Sequence, residues 1–198
     1  MAYDGPVSRV LNRRLSRPLA RLAAHARLSP NAVTAISTGI ACTVPLLFLA
    51  GKPRLAGIAI QAASVADGID GDLARLTNTS SQFGAVLDAV TDRYADAAII
   101  AGMTYWAHRT GRRAVAVPLG CAAMVGSLMV SYARARVEVE MGGSYEPGGW
   151  GYLSRDVRLL IAATGSALGR VYPTLLALAV MTNGSVIWRL ARLHRQGK

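Results

Sequence analysis

An all-α integral membrane protein, with six transmembrane helices behind an N-terminal amphipathic surface helix, is the fold class this sequence predicts. Three observations carry the prediction. The 198 residues are 52% apolar and only 17% charged, whereas a soluble domain carries about 25% charged residues. Six apolar runs approach or reach the roughly 20 residues that cross a bilayer. The first thirty residues show an apolar face and an arginine face but no continuous apolar run. A chain this apolar is not disordered. The loops between runs are short and leave no room for a separate soluble domain, so the division is residues 1–30, juxtamembrane, and 31–198, one helical unit. Cys42 and Cys121 both lie in apolar runs, which suggests neither a disulfide framework nor a zinc site.

In the first segment Val7, Leu11, Leu15 and Leu19 recur every four residues, and Arg9, Arg13, Arg17 and Arg21 recur with an offset of two. An offset of two is about 200° round a helix, so the two sets oppose each other. Leucines can then enter the acyl boundary while the arginines meet anionic head groups; the alternative is a helix packed on the protein's own surface. Pro18 is expected to break this helix. Ser29-Pro30-Asn31 reads as an N-cap followed by proline at the first helical position. The runs that follow are 32–50, 55–74, 84–106, 114–132, a short 157–169 and 171–188. The stretches 75–83 and 133–156 are the expected loops between them on one side.

Charge sets the orientation. The net charge is +11. An even number of spans leaves both termini on one side, and that side collects fifteen Lys and Arg against six on the other. Positive charge marks the cytoplasm, so the termini and the 75–83 and 133–156 segments are expected on the cytoplasmic side of the cell membrane. The basic residues flank apolar runs instead of sharing a soluble face with aromatics, which disfavours nucleic acid as a partner.

Six of the eleven acids, Asp67, Asp70, Asp72, Asp88, Asp92 and Asp96, fall in the cytoplasmic halves of the second and third runs. One aspartate at mid-bilayer costs roughly 2.5–3.5 kcal/mol on insertion scales. A cluster therefore needs water, cations or basic partners. Asp67 and Asp70 share a helical face, and so do Asp88 and Asp92, with Gly84 a turn earlier. Gly71 and Ala74 lie with Asp67, and small residues let helices approach. Two antiparallel neighbours can then aim four carboxylates at one gap, an all-oxygen site for hard divalent cations such as Mg²⁺, two of which would clamp a diphosphate. Asp72 and Asp96 are assigned instead to ion pairs, with Arg75 and Arg93 available. An aspartate-lined cation or proton transporter is the rival from another class; the lack of paired, Gly/Pro-interrupted helices argues against it.

The string Asp67-x2-Asp70-Gly71-x2-Ala74-Arg75-x8-Gly84-x3-Asp88-x3-Asp92 resembles the signature of the CDP-alcohol phosphotransferase family, with all eight fixed positions present. The six-run layout and the amphipathic N-terminus extend the resemblance over nearly the whole chain. The resemblance implies a membrane enzyme, commonly a homodimer, that moves a phosphoalcohol group from a CDP-alcohol to an acceptor hydroxyl and releases CMP. It implies two Mg²⁺ or Mn²⁺ ions, one on Asp67, Asp70 and Asp88, the other on Asp67, Asp88 and Asp92. It makes Asp92 the base that takes the acceptor's proton. It puts Gly71, Arg75 and Ser81 on the cytidine diphosphate part, with Asn31 and Thr34 nearby, and Gly84 giving close backbone access.

Arg134, Arg136, Arg155 and Arg158 lie on the same side as the acids, and converging arginines suit a phosphate monoester. Their pattern resembles members whose acceptor is myo-inositol-1-phosphate, with Arg158 less firmly placed than the other three. Members using glycerol-3-phosphate resemble it less. Two donors stay open, CDP-inositol and a CDP-linked lipid (CDP-diacylglycerol or CDP-archaeol). Asp67 to Arg75 with Asp92 to Asp96 resembles the CDP-inositol branch somewhat more.

Overall fold

The computed structural model describes residues 12–141 and 153–195. The described residues form seven helices: α1 (Arg13–His25), α2 (Pro30–Leu49), α3 (Pro53–Thr77), α4 (Gln82–Arg109), α5 (Arg113–Glu140), α6 (Arg155–Ala167) and α7 (Val171–Arg195). Each of the six apolar runs is one helix. Three of them, α2, α5 and α7, are long and apolar enough by length and composition to cross a membrane. Helices α3 and α4 have the length but carry the aspartates. Helix α6, with 13 residues, rises about 20 Å, short of a bilayer core.

Helix α3 packs against α1, α2 and α6, while α4 packs against α2, α5 and α7. Helix α2 therefore bridges the two acid-bearing helices. The main apolar core, including Val44, Phe48, Ile60, Met103, Val171 and Leu175, fills the half of the bundle away from the acids. Small residues set the crossings. A Cβ on Gly57 would meet the Ala167 backbone nitrogen at 2.3 Å and the Ala163 carbonyl oxygen at 2.5 Å, so α3 and α6 touch backbone to backbone there. Such contact needs glycine and gains its stability from van der Waals packing.

The turns that end helices share one device. Gly51 and Gly169 adopt positive φ, and the next residue donates back five positions, Lys52 N–H to Leu47 C=O at 2.8 Å and Arg170 N–H to Gly165 C=O at 2.8 Å. This satisfies carbonyls that a helix end leaves open. Asn78 makes the same left-handed cap after α3, leaving only residues 78–81 between the two acid-bearing helices. Ser29 caps α2 as expected, its side chain accepting from Ala32 N–H with Pro30 at the first turn.

Two expectations are corrected. Helix α1 runs through Pro18 without a break, because its buried face of Asn12, Ser16, Ala20 and Ala23 holds it against the bundle on both sides of the proline. That face is neither the leucine set nor the arginine set. Leu15, Leu19 and Leu22 point away from the protein; Val7, Arg9 and Leu11 lie outside the described residues. Second, the loop expected at 133–156 begins only after Glu140. The pairs Arg134–Glu138 (2.8 Å) and Arg136–Glu140 (2.6 Å) sustain α5 beyond its apolar stretch. Residues 142–152 of that segment, and Lys198, lie outside the described residues.

Candidate active site

The site is built where α3 and α4 face each other. Carboxylate oxygens of Asp67, Asp88 and Asp92 all lie within 4.8 Å of one another. Asp67 comes from α3; Asp88 and Asp92, one helical turn apart, come from α4. The two helices expected to be packed neighbours do not pack on each other; α2, which packs on both, holds them either side of a gap, and these side chains meet across it. Three carboxylates on one point, in a half-buried setting, repel each other unless a cation joins them. The donor set is all oxygen, which fits a hard divalent cation.

Asp70 stands apart from this group. It accepts from Thr34 Oγ1 at 2.5 Å and from the Gly71 amide at 2.6 Å, and it is buried. Three residues advance a helix by about 300°, so Asp70 sits some 60° round from Asp67 and leans toward α2. The gap between all four carboxylates that the spacing suggested is therefore a gap between three, with the fourth tethered beside it.

A cationic wall closes the other flank. Arg155, the first residue of α6, places Nη1 at 2.6 Å from Asp67 Oδ2 and 2.8 Å from Asp92 Oδ1, and Nε at 3.0 Å from Asp96 Oδ1. Arg158, one turn on, donates to Asp96 Oδ2 at 3.1 Å, to the Leu153 carbonyl at 3.0 Å and to Ser131 Oγ at 3.3 Å. Asp96, 3% exposed, thus locks two guanidiniums in place. It pairs with these two arginines instead of with Arg93, which bonds Asp92 at 3.3 Å. Asp72 pairs with Arg75 at 2.8 Å.

Arg134 and Arg136 are placed differently from Arg155 and Arg158. Two residues apart on α5, they point about 200° from each other and cannot both face one phosphate. Arg136 is exposed and pairs with exposed Glu140. The expected convergence of four arginines is thus replaced by Arg155 and Arg158 around Asp96.

The opposite flank is made by two helix starts. Ser81 caps α4, its Oγ accepting from Gly84 N–H at 3.0 Å. A Cβ on Gly84 would lie 3.1 Å from Ser81 Oγ and 3.4 Å from Asn31 Oδ1, so the first turn of α2 meets the first turn of α4. Unpaired amides at helix starts favour anions. Asn31, Thr34, Ser81, Gly84 and Asp70 are gathered here. The Arg75 guanidinium lies over Gly71, with Nη2 3.5 Å from where a Cβ would stand. Between the flanks, and running in toward the apolar core, is a cleft lined by Ser37, Ala41, Ile60, Asp67, Arg155 and Leu159.

Some buried polar groups have no counterpart in the spacing argument. Ser16 and Asn12 of α1 reach α3, Ser16 Oγ donating to Asp72 Oδ2 at 2.7 Å and Asn12 Nδ2 to Ser64 Oγ at 3.1 Å. Arg189, counted from sequence only as a topology charge, is 2% exposed and donates to the Val130 carbonyl at 3.0 Å. The repeat Asn12, Ser16, Ala20, small or polar every four residues, is the signal that could have identified the docking face of α1.

Comparison with known proteins places this geometry. Residues 27–190 match the CDP-alcohol phosphatidyltransferase family. The bifunctional IPC transferase and DIPP synthase of Rubrobacter xylanophilus is 43% identical over 192 residues, which is 97% of this chain and 43% of that protein. The chain thus spans less than half the length of that relative. The phosphatidylinositol phosphate synthase of Mycolicibacterium smegmatis is 36% identical over 190 residues, 91% of this chain and 83% of that protein. The crystal structure of Mycobacterium tuberculosis phosphatidylinositol phosphate synthase with CDP-DAG bound superposes with a TM-score of 0.78 at 29% identity, covering 90% of this chain and 92% of the other. The same protein in complex with manganese and citrate gives 0.77 at 28% identity, covering 89% and 88%. With a family match over most of its length and relatives of this similarity, the chain belongs to the CDP-alcohol phosphatidyltransferase family.

Proposed function

We propose that the chain transfers a phosphoalcohol group from a CDP-alcohol to myo-inositol-1-phosphate and releases CMP. The observation that carries the reading is the arrangement itself. Three convergent carboxylates lie between two helix starts that favour a diphosphate and a pair of aspartate-held arginines that suit a phosphate monoester. The relatives' names, IPC transferase, DIPP synthase and phosphatidylinositol phosphate synthase, support inositol phosphate chemistry.

Asp67, Asp88 and Asp92 would hold the Mg²⁺ or Mn²⁺ ions, with Asp70 completing the set from the Thr34 side. Bound there, the ions would neutralise the diphosphate and the CMP leaving group. The protein's own groups do the rest. The first turns of α2 and α4, with Asn31, Thr34, Ser81 and Gly84, receive the cytidine diphosphate. Gly71 lets Arg75 close over it. Arg155 and Arg158 hold the acceptor's phosphate, Arg134 lying on the neighbouring turns of α5; Arg136 contributes little. Asp92, between the carboxylate group and Arg155, takes the proton of the attacking hydroxyl. Phosphoryl transfer is mostly positioning and charge compensation, and these residues supply both. The acceptor's phosphate distinguishes this reading from one with uncharged inositol.

Six membrane crossings, a site on the cytoplasmic side of the cell membrane and a homodimer belong to the same proposal, supported by the charge asymmetry and by the family. CDP-inositol and CDP-diacylglycerol or CDP-archaeol are the donors it allows. The test is CMP release by the purified chain with Mg²⁺ or Mn²⁺, each donor in turn, and inositol-1-phosphate against glycerol-3-phosphate. Turnover with inositol-1-phosphate is expected. Equal or better turnover with glycerol-3-phosphate would overturn the acceptor, and no CMP with any pair would overturn the reaction.

A further inference from the structure

The contact between the surface helix and the donor flank carries an inference that rests on the reading above. Arg75 ends on a long flexible side chain, half-exposed. A free guanidinium of that kind loses considerable rotamer entropy when it must hold one pose. Here it is held. Asp72, three residues earlier on α3, is buried and accepts from Arg75 Nη2 at 2.8 Å through Oδ1. Its other oxygen, Oδ2, accepts from Ser16 Oγ at 2.7 Å. Ser16 is fully buried on α1, in the contact face between Asn12 and Ala20.

This division of the carboxylate has a chemical consequence. An arginine and a free carboxylate tend to close a two-bond fork, which would consume two of the guanidinium's donors and turn its edge away from a substrate. Here Ser16 occupies Oδ2 and Arg75 makes one bond, through Nη2 to Oδ1. The tether is a single point, and the remaining N–H groups stay available to a phosphate. The guanidinium rests over Gly71, 3.5–3.9 Å from where a Cβ would stand, so it folds back along α3.

We propose that Ser16 and Asp72 are positioning residues that present Arg75 to the diphosphate of the CDP-alcohol, making helix α1 part of the donor site. Neither residue touches substrate. Their effect reaches the donor only through Arg75, so it must disappear when Arg75 is removed.

The experiment is a double-mutant cycle on the full chain in detergent or nanodiscs, with CMP release and thermal unfolding both measured. Ser16→Ala and Asp72→Asn are each expected to raise the KM for the CDP-alcohol about tenfold, the loss of one hydrogen bond to a charged group. The KM for inositol-1-phosphate and the affinity for Mn²⁺ should stay unchanged. Ser16→Thr, which keeps the hydroxyl, should restore the donor KM. In an Arg75→Ala background, Asp72→Asn should add nothing further. If Asp72→Asn raises donor KM equally with and without Arg75, or if both KM values rise together with a fall in unfolding temperature, the residues only pin α1 to α3 and the positioning role is wrong. Wild-type chain that releases no CMP would instead overturn the proposed reaction, so the wild-type assay separates that outcome from the rest.

Discussion

Arg155→Met tests what compensates the neighbouring carboxylates of Asp67, Asp92 and Asp96. One guanidinium lies at 2.6 Å from Asp67, 2.8 Å from Asp92 and 3.0 Å from Asp96, and its own side chain is 17% exposed. A unit pair about 4 Å apart is worth about 4 kcal/mol at an effective dielectric of 20, before desolvation is subtracted. Removing one partner of a buried pair leaves uncompensated charge and costs about 3–5 kcal/mol. In a chain of this size that lowers the unfolding temperature by on the order of 10 °C. Methionine keeps the length and removes the charge, so the loss is electrostatic and not a cavity. Saturating Mn²⁺ should recover more than half of the loss, because divalent charge can replace the guanidinium between Asp67 and Asp92. The assay is thermal unfolding of both proteins with EDTA and across a Mn²⁺ titration. Equal unfolding temperatures in EDTA, or the same Mn²⁺-induced shift in both, would refute the claim that Arg155 compensates this cluster.

Four further predictions concern other residues. Asp92→Asn should lower CMP release by at least about 100-fold, the usual span of a lost general base, while CMP binding by equilibrium dialysis persists; near-normal turnover removes Asp92 as the base. Arg158→Ala takes a guanidinium from between Asp96, Ser131 and the Leu153 carbonyl and should raise the acceptor KM at least about tenfold. Arg136→Ala breaks an exposed pair with Glu140, should change stability by under about 1 kcal/mol and should leave both KM values within about twofold. Gly57→Val drives a side chain into the Ala163 and Ala167 backbone and should destabilise by about 1–3 kcal/mol or more. Gly184→Ala, with nothing within 4 Å of the new Cβ, is its neutral control, and thermal unfolding reads both.

The helices were legible because apolar runs of span length have few alternatives. The expected 32–50 and 55–74 appear as Pro30–Leu49 and Pro53–Thr77, and the Ser29-Pro30 start appears as a working cap. The convergence was legible in part: helical spacing puts Asp88 and Asp92 on one face, and three of the four expected carboxylates meet, but the gap they meet across is set by α2 packing on both helices, which spacing does not contain. The end of α5 was not. Its last turns are polar, and hydropathy is blind to helix held by Arg–Glu pairs. The tilt of Asp70 toward Thr34 and the docking of α1 by Ser16 depend on which neighbour lies across a helix face. That information is tertiary, and spacing along one chain does not contain it. The same limit explains why the four arginines separate into two at the carboxylates and two along α5.

The shortness of α6 fixes how deep the chemistry takes place. Its C-terminal end lies level with Gly57 near the start of α3, and its N-terminal Arg155 meets Asp67, ten residues before α3 ends at Thr77. Ten helical residues rise about 15 Å. In a bilayer, the reacting phosphorus would therefore sit well beneath the outermost turn of its own scaffold, in a vestibule that water must fill. A lipid-linked donor would reach it by moving sideways within its own leaflet, whereas a water-borne acceptor would have to descend. Rates in bilayers of graded acyl-chain length should then respond far more through the acceptor than through the donor.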